Sequence, residues 1–188
     1  MTSRIVETTV TYLVMDAPPA HLPPMPTTSV RLALMRAEKI PLPFYRFLYR
    51  EVGGSWLWVE RLDLSDEALA EKIHREGVEV FVLYANGSPA GYYELDFASP
   101  KTTKLVYFGL MPDWTSMRIG PWLLGTAVSE GFSRGASEML VNTCTMDHPA
   151  ALPLYQRLGF HPVRREDRRL KVPAHLNVPG HIAARIAP

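Results

Sequence analysis

Five prolines crowd the stretch from Asp16 to Pro26, at positions Pro18, Pro19, Pro23, Pro24 and Pro26. Proline lacks a backbone donor and fixes φ, so neither a helix nor an inner strand can cross this stretch. It has to be a connecting loop, and it divides everything before it from everything after it. Before it, residues 5–15 read as a strand, with Val6, Thr8, Val10, Tyr12 and Val14 at alternate positions. After it, residues 30–35 read as a second strand, with Val30, Leu32 and Leu34 on one face. Pro41 and Pro43 then open a short helix over 44–51, where proline in the first turn is tolerated, and Gly53-Gly54 stops it. Residues 1–28 are therefore expected to be an N-terminal strand and proline-rich arm.

The remaining pattern is mixed. Residues 65–75 read as a helix with Ser65 as N-cap, Leu64 and Leu69 at staple positions and Gly77 as terminator. Residues 78–84 and 91–97 are β-rich and flank an Asn86-Gly87 turn signal, so they read as a hairpin. Residues 104–110 form a third run, antiparallel to its neighbour. The period then becomes helical. Gly120-Pro121 opens a helix to about Arg134, with Leu124, Val128 and Phe132 on one face. A strand over 139–143, a helix over 149–158 with Gly159 at its C-cap, and a last strand or hairpin over 160–172 follow. The tail, 173–188, is too rich in proline to read as regular structure. The order β-β-α-α-β-β-β-α-β-α-β predicts one α/β (α+β) domain over 1–188, a mixed, mostly antiparallel central sheet flanked by helices. A right-handed crossover makes the strand at Met139 parallel to the one at Leu105.

Composition narrows the function classes. The chain has 188 residues, 47% hydrophobic and 21% charged, which is ordinary globular usage. Its net charge of +1 supplies no general drive toward nucleic acid. One cysteine cannot build a disulfide framework or a thiolate zinc cluster, and six scattered histidines lack metal-ligand spacing, so no metal site is expected. No apolar window is long enough for a membrane span, and the first residues show no secretory signal. The expectation is a cytoplasmic protein.

Two stretches carry chemistry. A strand ends at Met111-Pro112, and a short loop leads into the helix opening at Gly120. Unpaired N–H groups at such a helix start can hold a phosphate or pyrophosphate, with Arg118 beside them. An ordinary capped helix would read the same way. The second stretch runs from Asn142 to Phe160 and contains His148, Ala151, Leu152, Leu154, Tyr155, Gly159 and Phe160. Together with Gly120-Pro121-Trp122-Leu123-Leu124, it resembles the GNAT superfamily of N-acetyltransferases, whose pattern runs Asn-x-x-Ala-hydrophobic-x-hydrophobic-Tyr-x-x-x-Gly-Phe. His148 stands at the usual asparagine. The family's phosphate loop, Gln/Arg-x-x-Gly-x-Gly/Ala, reads here Thr115-x-x-Arg118-x-Gly120.

The resemblance implies acetyl-CoA (and product CoA) bound where a parallel strand pair splays, between the strands at Leu105 and Met139. It implies a pantetheine arm along Phe108, Gly109, Leu110 and Met111, and phosphates over Met117, Arg118, Ile119, Gly120, Pro121 and Trp122. His148, Ala151 and Tyr155 are implied cofactor contacts. Tyr155 matches the general acid that protonates the departing thiolate, although a packing tyrosine would satisfy the same helical stripe. The acceptor is expected to be a small-molecule or peptide amine.

Other residues are open to two readings. Glu94 shares a strand face with Tyr92 and Asp96, so it could serve as a base if that face borders the cleft, or it could face solvent. Tyr45, Tyr49, Trp56 and Tyr92 are candidates for the acceptor pocket, while Phe44, Phe47 and Trp58 read as packing. Cys144 reads as an inert core thiol. The run Arg164-Arg165-Glu166-Asp167-Arg168-Arg169-Leu170-Lys171 reads as a solvated edge strand, or else as an anion patch for CoA's 3′-phosphate, an acidic acceptor or RNA. An unpaired N-terminal strand would invite a homodimer. With Arg118 and Pro121 in the loop, a catalytically weak interaction or regulatory module of the same fold is the alternative to an enzyme.

Overall fold

The computed structural model describes residues 4–97, 99–184 and 186. Ala98 in the connection before the third run, residues 1–3 of the arm, and residues 185, 187 and 188 of the tail lie outside the described residues. In chain order the elements are β1 (Arg4–Met15), β2 (Leu32–Arg36), α1 (Leu42–Gly53), α2 (Asp66–Ile73), β3 (Val78–Ala85), β4 (Ser88–Asp96), β5 (Thr102–Leu110), α3 (Ile119–Phe132), β6 (Glu138–Cys144), α4 (Ala151–Leu158), β7 (His161–Val172) and α5 (Gly180–Ala183). Two 3₁₀ turns, Gly54–Trp56 and Pro112–Met117, were not anticipated, nor was α5, which starts behind Pro179 in the proline-rich tail.

The strands form one sheet in the order β2-β3-β4-β5-β6-β1-β7. Asn86 and Gly87 both take positive φ, 51° and 87°, as the primed two-residue turn between β3 and β4 requires. β5 and β6 are parallel, as expected from the crossover through α3. β1 is antiparallel to both β6 and β7, so it lies inside the sheet. This corrects the expectation that β1 offers an edge for dimerisation, because both its edges are satisfied within the chain. Its alternating β-branched residues suit an inner position. The charged run forms β7, an edge strand exposed along most of its length.

One apolar core lies between the sheet and α3 and α4, around Leu13, Leu105, Leu123, Leu124 and Phe160. The other face carries α1 and α2, packed through Tyr45, Leu48, Val80 and Tyr92. A smaller cluster forms where the tail folds back on this second face, joining Val6, Leu57, Met146, Val172 and Ile182. The proline arm runs from β1 to β2, and Pro23 packs where Gly125 leaves room on α3.

The β5–β6 ladder covers only Thr102–Leu105 against Glu138–Val141, although both strands continue. The register of β4 against β5 slips at the same point, leaving Val106 as an extra residue. Such a bulge bends its strand, and here it turns β5 away from β6. Helix α1 approaches β5 closely just beyond it, because Gly109 has no side chain to meet Val52 Cγ1. Gly109→Ala is therefore expected to lower the unfolding free energy by about 1–3 kcal/mol through overpacking. Adding Val52→Ala should recover part of that loss, so that urea denaturation shows the pair to be less damaging than the sum of the single changes.

Candidate active site

Where β5 and β6 part, a cavity of about 790 Å³ passes through the sheet. Its lining comes from both layers. Phe108, Leu110 and Tyr155 belong to the core under α3 and α4, whereas Tyr49, Trp58 and Tyr107 belong to the layer under α1. A ligand entering from one face can thus meet a ligand entering from the other.

Among the residues expected from the sequence, Phe108, Gly109, Leu110, Gly120, His148, Ala151, Tyr155, Tyr49 and Trp56 line this cavity. Tyr155 is held on the buried stripe of α4, with its ring against Phe108 and Phe160 at 6.1 and 5.9 Å. Burial pushes its phenol well above the ordinary range, and the nearby Asp147 carboxylate adds to the rise. The hydroxyl is therefore a persistent proton donor at neutral pH. Cys144 is also on the lining, and burial, with Asp147 beside it, raises its thiol. That suits an inert residue.

His148 accepts a hydrogen bond from the Ala150 N–H at Nδ1, 3.0 Å, just ahead of α4. Its ring also meets Trp56 edge to face at 5.1 Å, and His181 of α5 meets Trp56 from another side at 5.2 Å. Trp56 thus ties the α1 layer to the tail.

The structure sets other expected residues apart from this cavity. Glu94 is 1% exposed and does not line the cavity. Arg61 clasps it with two bonds, 2.6 and 2.8 Å, and the Tyr45 hydroxyl donates a third at 2.7 Å. Burying a carboxylate on the inner face of β4 demands such partners, and they occupy the oxygens a base would use. Tyr45 and Tyr92 are likewise buried in the α1 layer and away from the cavity. Met111 spends its N–H on Ala90 and its carbonyl on Trp114, so its backbone is engaged within the protein. Met117, Arg118, Ile119, Pro121 and Trp122 lie off the cavity lining.

Arg118 ends the 3₁₀ turn in the left-handed region, φ 57°, and directly precedes α3. Pro121 has no N–H, so the open donors of the first turn fall to Ile119 and Gly120. A Cβ at Gly120 would meet Leu110 Cδ1 and Leu154 Cδ2 at 3.8 and 3.9 Å, which is ordinary packing contact.

Four residues of the site were missed. Trp58 lines the cavity and donates its indole N–H to Asp147 at 3.3 Å. Asp147 also accepts from Thr143 Oγ1 at 2.7 Å and the Cys144 N–H at 2.8 Å, which fixes its carboxylate beside the gap. Tyr107 donates to Glu60 at 3.1 Å. The sequence reading gives Trp56 to the pocket and Trp58 to packing, whereas both line the cavity, on either side of Leu57, which is left-handed at φ 56°.

The acetyltransferase (GNAT) family model matches residues 44–160, which is more than half of the chain. No curated protein matches. Solved structures of similar fold include a GCN5-related N-acetyltransferase from Sphaerobacter thermophilus, with 17% identity and a TM-score of 0.62 over 92% of this chain and 54% of that one. A tandem GNAT protein from the clavulanic acid biosynthesis pathway has 14% identity and a TM-score of 0.61 over 90% of this chain and 55% of that one. An aminoglycoside N-acetyltransferase in complex with CoA has 20% identity and a TM-score of 0.54 over 73% of this chain and 93% of that one. The chain thus spans little more than half the length of the first two. With its split parallel pair, its traversing cavity and the family match over both, the chain belongs to the acetyltransferase (GNAT) family of N-acetyltransferases.

Proposed function

We propose that the chain transfers an acetyl group from acetyl-CoA to a primary amine by direct attack in a ternary complex. The observation that carries this reading is the cavity through the sheet, with Tyr155 in its wall. The site fits CoA in two respects: β5 beyond Leu105 has no strand partner on its β6 side, and Gly120, in the first turn of α3, lines the cavity. When bound, acetyl-CoA supplies an activated thioester. Backbone groups of Phe108, Gly109 and Leu110 would hold its arm, and Ile119 and Gly120 N–H groups its phosphates.

Once the bound ammonium has lost a proton to solvent through the open cavity, its nitrogen would bond the acetyl carbon as the C–S bond breaks; Tyr155 would give its proton to the departing sulfur, and the second proton shed by the nitrogen would restore the phenol or leave to solvent. Asp147 and Glu60 hold the incoming ammonium on the other face, and the rings of Trp56, Trp58, Tyr49 and Tyr107 enclose its carbon skeleton. Direct attack needs no protein nucleophile, in keeping with the inert Cys144. The setting proposed is cytoplasmic, and the acceptor a small molecule or peptide.

Calorimetry with acetyl-CoA, followed by thiol release with added amines, tests the reading. Micromolar binding is expected, and no binding at millimolar acetyl-CoA would leave an interaction module, which the substituted loop favours. Arg118→Gly separates function from folding at that loop. Glycine relieves the left-handed strain of about 1 kcal/mol, so stability should hold or rise. Affinity for acetyl-CoA should hold or rise at the same time, because glycine is the residue of the family's loop at this position and lets the backbone N–H groups approach a phosphate; a fall would instead assign the guanidinium to the phosphates.

A further inference from the structure

The cavity has two electrically distinct walls. On the α1 side stand Glu60 and Asp147 among aromatic rings. On the β1–β7 side stand Arg164 and Arg168, and Lys104 of β5 also lines the cavity. Arg164 lies over the Tyr12 ring at 3.9 Å, and Arg168 donates to the Tyr12 hydroxyl at 2.7 Å. Glu166 pairs with both arginines, at 2.8 and 3.2 Å. One carboxylate therefore serves two arginines, and this wall keeps an excess of positive charge.

These cations do not face the phosphate loop. Leu13 and Met15 point into the core under α3 and α4. Tyr12, one residue before Leu13, points to the opposite face of the sheet, and the two arginines stack and bond to it there. CoA's phosphates, held at the start of α3, would lie on the other side. The arginine wall borders the acceptor half.

Resting on the transferase reading, we infer that the acceptor is an amine whose far end carries an anionic oxygen group, a carboxylate or a phosphate. The ammonium end sits between Glu60 and Asp147, and the anion meets Arg164 and Arg168, whose planar forks suit either group. From β6 to β7 is two strand spacings, about 10 Å. A flexible chain of several carbons spans that distance with the reach of an arginine side chain.

The test compares thiol release from acetyl-CoA with four matched amines: ω-aminocaproate, its amide, hexamethylenediamine and aminohexyl phosphate. The carboxylate or the phosphate should exceed the amide in kcat/KM by about tenfold, the scale of one charge-assisted hydrogen bond, with the diamine lowest. Whichever anion leads identifies the group. Arg164→Ala/Arg168→Ala, at positions exposed enough to spare the fold, should erase the advantage over the amide, and Arg→Lys at both should restore part of it. Added salt should shrink the advantage. Equal rates for acid and amide, or a diamine that leads, would overturn the inference while leaving the transferase reading intact. Failure to bind acetyl-CoA at all would instead overturn both.

Discussion

Tyr155→Phe is expected to lower kcat by about 10²-fold or more while leaving stability and acetyl-CoA binding near those of the parent chain. The stability half follows from packing. Among the described residues the Tyr155 hydroxyl bonds to no other group, and the ring contacts with Phe108 and Phe160 survive in phenylalanine. Removing the hydroxyl therefore orphans no partner. The kinetic half follows from the leaving group. A thiolate expelled into a cavity roofed by apolar side chains needs a proton, and the phenol on α4, which lines that cavity, is the donor proposed for it. The pH profile supplies an independent check. A raised phenol keeps its proton as pH rises, so kcat should show no alkaline fall from Tyr155 up to about pH 10, where an ordinary phenol begins to ionise. Its rise on the acid side would report the amine losing its own proton. A phenylalanine variant with near-parental kcat would reduce Tyr155 to a packing residue and move the search for an acid to other lining groups.

How far the sequence carries can be judged from these positions. The place of Tyr155 on the buried stripe of α4 was legible because its helix is amphipathic. The β3–β4 hairpin was legible because Asn86-Gly87 has one favoured geometry between strands. The parallel pair followed from handedness alone. The place of β1 was not legible, since alternation predicts a strand and says nothing of its neighbours. Val106 carries no local signal of a bulge, because the slip depends on what β4 places opposite. Pairings across the fold are hidden in the same way. Arg61 lies in an aromatic run 33 positions before Glu94, and only folding brings them together. Asp147 sat in plain view ahead of His148-Pro149, but its role depends on Trp58 arriving from the α1 layer.

That hidden pairing leads to the second large effect. Glu94→Gln is expected to cost about 3–5 kcal/mol of stability while the folded enzyme keeps its kcat. Glu94 and Arg61 are 1% and 9% exposed, so neither charge is shielded by water. The guanidinium lies over the Tyr107 ring at 4.6 Å and is bonded to Tyr45 as well as to both carboxylate oxygens. Neutralising the carboxylate leaves a buried cation without its counter-charge, and breaking such a pair from one side is far costlier than removing both. Glu94→Leu/Arg61→Met should accordingly be less destabilised than either single change, which chemical denaturation can show. The kinetic consequence is indirect. Arg61 fastens the segment that carries Trp56, Trp58 and Glu60 to β4, so loosening it should raise KM for the amine and leave the chemical step alone. If Glu94→Gln instead lost about 10²-fold in kcat with stability unchanged, the ion pair would be dispensable and Glu94 would return as a general base acting through the gap in the sheet.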